Sequence, residues 1–138
     1  MSEPAPRRRL RVAAAIVWRG DEVLMTRRPP GGPLGLRWEF PGGKLEPGES
    51  PEQASVRELG EELDVRAVAR EVLAVETHDY VGLSVELTFV RCELETQELR
   101  PGAEVHEVRW IRPEDVDPAE VLDADRAFLA RLAGEEIR

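Results

Sequence analysis

An α+β fold, a mixed β-sheet flanked by one internal and one C-terminal helix, is what this sequence predicts. Three stretches carry the prediction. "LRVAAAIVW", Leu10 to Trp18, is nearly unbroken in apolar character. "VGLSVELTFV", Val81 to Val90, alternates apolar and small or polar residues. A segment opening at Ser50 carries aliphatic residues on one side and carboxylates on the other.

Along the chain, residues 1–9, "MSEPAPRRR", lack periodicity and read as a flexible, partly basic arm. A single domain spans 10–134, and 135–138 form a short tail. The run from Leu10 is too short for a typical helix, so it reads as a strand covered on both faces. Arg19-Gly20-Asp21 makes a turn into a second strand, "EVLMTRR", and "PPGGPLGL" is a loop by its Pro and Gly content. "FPGGKLEPGES", Phe40 to Ser50, is a compact glycine loop leading into the internal helix. "VAREVLAVETHDY" and "VHEVRWI" read as further strands around the alternating one, and "AFLARL" is helical.

Composition narrows the function classes. With 138 residues and 41% apolar content the chain can bury a core without metal or disulfide staples, and its single cysteine, Cys92, has no internal partner. No apolar run is long enough to span a bilayer and nothing resembles a signal peptide, so the expectation is a cytoplasmic protein without a membrane partner. A net charge of -9 argues against a nucleic-acid partner, because backbone binding needs clustered Lys and Arg. An anionic ligand would need local help from arginines or bound cations.

The internal helix is the informative element. Ser50 as N-cap, Pro51 at the first helical position and Gln53 completing a capping box fix its start. At about 100° per residue, Glu58, Glu61 and Glu62 share one side and Val56, Leu59 and Leu63 the other. Like charges at these spacings repel, and a hard divalent cation with oxygen ligands removes the repulsion. A solvated acidic face is the plain alternative. Gly42 and Gly43 permit close backbone approach in the loop before the helix, where a carbonyl could reach the same ion.

Taken together, the residues resemble the Nudix hydrolases, whose box reads GX5EX7REUXEEXGU with U aliphatic. The chain supplies Gly43, Glu49, Arg57-Glu58-Leu59, Glu61-Glu62 and Val65 in register, with Asp64 where the box has glycine. Asp64 falls at the helix end, where aspartate tolerates the left-handed conformation better than most residues. The resemblance implies a Nudix-type α/β/α sandwich and hydrolysis of a nucleoside diphosphate linked to another group, using Mg²⁺ with Mn²⁺ as substitute. By position it implies Glu58 and Glu62 as principal metal ligands, Glu61 as a further ligand or base, and the Gly42 carbonyl as another ligand. Glu49 would support the site, Arg57 would orient a glutamate, and Glu104 or Glu107 would act as general base from a loop.

"MTRRPPGG" and "WEFPGGK" are closest to the MutT-like branch, which converts nucleoside triphosphates to monophosphate and pyrophosphate. The resemblance places Arg28, Glu39, Phe40 and Lys44 at the substrate. Asp125 corresponds to a base-reading position. If the last helix begins near Pro118, Asp125 sits mid-stripe among Val121, Leu122, Phe128, Leu129 and Leu132; if it begins after Asp123, Asp125 lies in the first turn and complements the dipole. As an acceptor, an ionised aspartate suits the cytosine amino group, and a protonated one could also meet an oxidised purine. The alternatives are hydrolysis of ADP-ribose, a dinucleoside polyphosphate or an RNA 5′ end, or a catalytically silent binding module, whose mark would be a broken box. The expected partner is a small nucleotide, with the protein a monomer or homodimer.

Overall fold

The computed structural model describes residues 8–96, 98–135 and 137. Strand β1, Arg8–Ile16, is followed by β2, Trp18–Arg19; β3, Glu22–Arg27; β4, Trp38–Glu39; and β5, Gly42–Lys44. Helix α1 spans Pro51–Leu63, then come β6, Ala67–Tyr80; β7, Leu83–Leu94; β8, Glu107–Ile111; and helix α2, Asp123–Ala133. Arg8 and Arg9, placed in the N-terminal arm by the sequence reading, are the first two residues of β1, while residues 1–7, with Glu136 and Arg138 of the tail, lie outside the described residues.

The strands divide between two sheets rather than one. The first has the order β5-β1-β7-β6, with β1 and β7 parallel and the outer pairs antiparallel. In the second, β3 pairs with β2, β4 and β8. The apolar run from Leu10 spans the change, since β1 ends at Ile16 and Trp18 already pairs with Val23.

β1 is covered on both faces, as its unbroken apolar run predicts. Ala14 and Ile16 join Phe89, Phe128 and Leu129 in one core cluster. Ala15 and Val17 join Val90, Leu59 and Leu63 in the other. The glycine segment read as a loop contains a real strand: Gly42, Gly43 and Lys44 pair with Ala14, Ala13 and Val12. Period-two patterning is invisible in three residues of which two lack side chains, which is why only tertiary pairing reveals it.

Both ends of α1 follow local rules. The Ser50 side chain accepts from the Gln53 N–H at 3.1 Å, and the Gln53 side chain accepts from the Ser50 N–H at 2.9 Å, completing the capping box. At the other end Asp64 is left-handed, φ 54° and ψ 42°, and its N–H donates to the Gly60 carbonyl. Ala54, Ser55, Leu59 and Leu63 are buried, leaving Glu58, Glu61 and Glu62 to the opposite side. Gly60 has no steric reason to be glycine, because a Cβ there would meet only the Val65 carbonyl at 3.6 Å. Gly60→Ala should therefore stabilise the fold by about 0.5–1 kcal/mol through helix propensity, read as a higher Tm without loss of turnover.

Candidate active site

The helix end remote from Ser50 leaves carbonyls without intrahelical donors. The chain after β7 returns to satisfy them: the Arg100 N–H donates to Leu63 O and the Gly102 N–H to Glu62 O, each at 2.8 Å. This docking brings Glu104 over the acidic face. Glu58, Glu61, Glu62, Gly102, Ala103, Glu104 and Val105 line one cavity of about 250 Å³.

Arg57 organises the entrance. Its Nε and Nη2 donate to the two oxygens of Glu49 at 2.8 and 2.9 Å, Nη1 donates to Glu58 at 3.0 Å and Glu61 at 3.1 Å, and Nη2 also reaches the Lys44 carbonyl at 3.0 Å. The paired hydrogen bonds from Arg57, with help from the Glu46 N–H, hold Glu49 below the usual carboxylate range. Glu49 and Arg57 thus tie the loop to the helix.

Deeper in, positive compensation reaches Glu58 through Arg57 and no arginine or lysine pairs with Glu62 among the described residues. Burial pushes Glu58 up, opposed by Arg57 and reinforced by Glu61 and Glu104. Burial, with the charges of Glu58, Glu39 and Glu104, pushes Glu62 up to about 8, and the Gly42 N–H at 3.2 Å opposes it. Among the described residues, no three acidic, histidine or cysteine side chains already converge as a metal cluster, and Arg57 donates to both Glu58 and Glu61. The oxygen-rich donor set, with half-buried Glu62 unpaired by any cationic side chain among the described residues, nevertheless fits a hard divalent cation. The contact that Gly42 makes to this group is through its N–H, whereas the sequence reading assigned its carbonyl.

The two base candidates separate in space. Glu104 lines the cavity, whereas Glu107 lies on β8 and is held by Arg27 at 3.3 Å and Arg109 at 3.0 Å. Sequence distance could not separate them; the loop docking does.

A second group sits on the other face of the first sheet. α2 begins at Asp123, so Asp125 is in its first turn, yet it is also buried. Its Oδ2 accepts from the Phe40 N–H at 3.1 Å. Burial, opposed by that N–H and aided by the charges of Glu39 and Glu76, pushes its carboxyl up to about 7. The two sequence readings of Asp125 are therefore both partly met: first turn and buried stripe at once. Glu39 pairs with Arg28 at 3.3 Å, and burial, outweighing Arg28, raises its carboxyl. Phe40 itself is 3% exposed, set edge-on to Phe89 and Phe128, so its ring belongs to the core and its backbone faces Asp125. Lys44 is exposed at the end of β5.

The segment Phe40-Pro41-Gly42 links the two groups, donating to Asp125 at one end and Glu62 at the other. Two residues of extended chain span roughly 7 Å.

Comparison with known proteins follows the same lines. The NUDIX domain model matches residues 7–132. An 8-oxo-dGTP diphosphatase of Proteus vulgaris is 37% identical over 84 residues, 60% of this chain and 75% of that protein. A CTP pyrophosphohydrolase of Escherichia coli K12 is 41% identical over 78 residues, 56% of this chain and 58% of that protein. The solution structure of the E. coli ORF135 protein superposes with a TM-score of 0.79 at 29% identity, covering 98% of this chain and 96% of that one.

Proposed function

This chain belongs to the Nudix family, and on that premise we propose that it is a Mg²⁺-dependent hydrolase converting nucleoside triphosphates to monophosphate and pyrophosphate, with cytosine or oxidised purine nucleotides preferred. The observation that supports this reading is the Phe40–Gly42 link, whose N–H groups donate to the buried Asp125 at one end and, at the other, to Glu62 in the carboxylate-lined cavity. The relatives named above act on 8-oxo-dGTP and CTP by their names, in keeping with it.

Glu58 and Glu62 would hold the cation, with Glu61 beside them; Mn²⁺ would substitute. Once bound, the cation supplies neutralisation of the polyphosphate and a more acidic water. Arg57 keeps Glu58 and Glu61 in place and is itself clamped by Glu49. Glu104, which lines the cavity and lacks the arginine partners that hold Glu107, would accept the proton of water. As the water oxygen bonds to phosphorus, the bridging P–O bond breaks and its electron pair leaves with the departing phosphate group. Asp125 would take a hydrogen from the base through the carboxylate oxygen that Phe40 leaves open.

The test is a nucleotide panel with Mg²⁺, scored for rate and for product identity. Release of pyrophosphate with the monophosphate is expected; ADP-ribose or dinucleoside polyphosphates as the favoured substrates would reject the reading. Asp125→Asn keeps the shape but replaces an acceptor with an amide. It should shift relative kcat/KM from cytosine towards 8-oxo-guanine nucleotides by about tenfold. A lowered Tm with an unchanged ratio would make Asp125 purely structural.

A further inference from the structure

The strand register places a second carboxylate near Asp125. Glu76 of β6 stands opposite Leu87, Leu87 opposite Val12, and Val12 opposite Lys44, one row across four strands. Directly paired residues share a face of the sheet, and Leu87 is in the core cluster that includes Phe128 and Leu129 of α2. Glu76 therefore faces α2, and the Arg131 guanidinium on that helix lies 3.6 Å from it. The carboxylate of Glu76 is only 20% exposed, and its ion pair with Arg131 is longer than a hydrogen bond. Its charge is also felt at Asp125.

The next row on the same face is His78, Val85 and Leu10. Leu10, Val12 and Val85 are half-buried rather than covered, and the Nε2 of His78 is buried without a hydrogen-bond partner. The result is an apolar strip of sheet with Asp125 and Glu76 near it and an unsatisfied ring nitrogen at its far end. A planar heterocycle with polar hydrogens on its edge matches such a strip. Carboxylate oxygens accept hydrogen bonds, so the matching edge carries N–H donors.

We propose that Glu76 is a specificity-determining residue that, together with Asp125, accepts hydrogens from the exocyclic amino group of the nucleobase. The assignment rests on the nucleoside triphosphate reading above and deepens it. Cytosine, adenine and guanine carry such a group; uracil and hypoxanthine do not. Arg131 is then a positioning residue that keeps Glu76 turned towards α2.

The experiment compares kcat/KM with Mg²⁺ for CTP against UTP and GTP against ITP, in the parent and in Glu76→Ala. The parent should favour the amino-bearing member of at least one pair. Glu76→Ala should shrink that advantage about tenfold while UTP and ITP change less than about twofold. Glu76→Gln, near-isosteric, carries the same comparison if the alanine variant fails to fold, and should lose part of the advantage. An advantage absent in the parent, or one that survives in a folded variant while all nucleotides slow alike, overturns the assignment and makes Glu76 a prop for Arg131. If the parent hydrolyses none of a full triphosphate panel, both the assignment and the nucleoside triphosphate reading fall; if it hydrolyses them and the ratio is unmoved, only Glu76 does.

Discussion

Glu62→Gln should lower kcat by two orders of magnitude or more, about 3 kcal/mol of barrier, and at the same time make the cation-free protein more heat-stable at pH 8. The two effects have one cause. Glu62 is half-buried beside Glu58 and within the field of Glu39 and Glu104, and its carboxyl is pushed up to about 8 from an ordinary value near 4.5. Between those two values the folded state binds more protons than the unfolded state, so its stability falls as pH rises through the window. Below about 4.5 both states are protonated and the favourable difference is fully present; above about 8 it is gone. Glutamine keeps an oxygen for the Gly42 N–H but carries no charge, which removes this pH dependence along with a cation ligand. Glu58→Gln should cost a similar fraction of kcat. Melting curves with chelator at pH 5 and pH 8, beside Mg²⁺-dependent turnover, check both halves. Turnover within a few-fold of the parent would remove Glu62 from the cation set, and an unaltered slope of Tm against pH would remove the charge argument.

The adjacent glycines should respond in opposite ways. A Cβ on Gly42 would stand 2.0 Å from the Ala13 carbonyl oxygen and 2.9 Å from the Ala14 Cα, both backbone. Gly42→Ala must push β5 off β1, and about 3 kcal/mol or more of stability should go with it, roughly 10 °C in Tm. A Cβ on Gly43 would instead meet the Glu58 carboxylate, with Oε1 at 2.4 Å. That side chain can swing away, so Gly43→Ala should fold with a Tm close to the parent and lose turnover by displacing Glu58. Thermal melts paired with kcat separate the outcomes. Equal melting temperatures for the two variants would show that the β1–β5 pairing can give way at Gly42.

Local chemistry made much of the molecule legible beforehand. The capping box at Ser50, the buried stripe of Leu59 and Leu63, and the left-handed Asp64 each depend on neighbours within one helical turn, and each stands where its residues imply. The unbroken run of β1 reports two covered faces, whereas β7, whose alternation implies one, is buried on both from Leu87 to Val90, with Leu87 and Phe89 in one cluster and Val90 in the other, because α1 and α2 pack on opposite sides of that sheet. The start of α2 was legible only as two options, because Pro118 and Asp123 both satisfy the rules for opening a helix; the chain uses the first for a single 3-10 turn and the second for the helix.

By itself, then, the sequence determined the longer strands, helix α1 and its carboxylate face with Arg57 among the glutamates, and the family box that names a chemistry. Tertiary structure alone decided that Glu104 rather than Glu107 lines the cavity, that Asp125 meets the Phe40 N–H from 85 residues away, and that Glu76 shares a sheet face with Leu87 and Val12. The reason is physical. Capping, helix faces and strand alternation are set by contacts within a few residues, whereas the partners a carboxylate meets are brought to it by distant segments: Arg27 and Arg109 at Glu107, a cavity wall at Glu104, and a buried helix turn at Asp125.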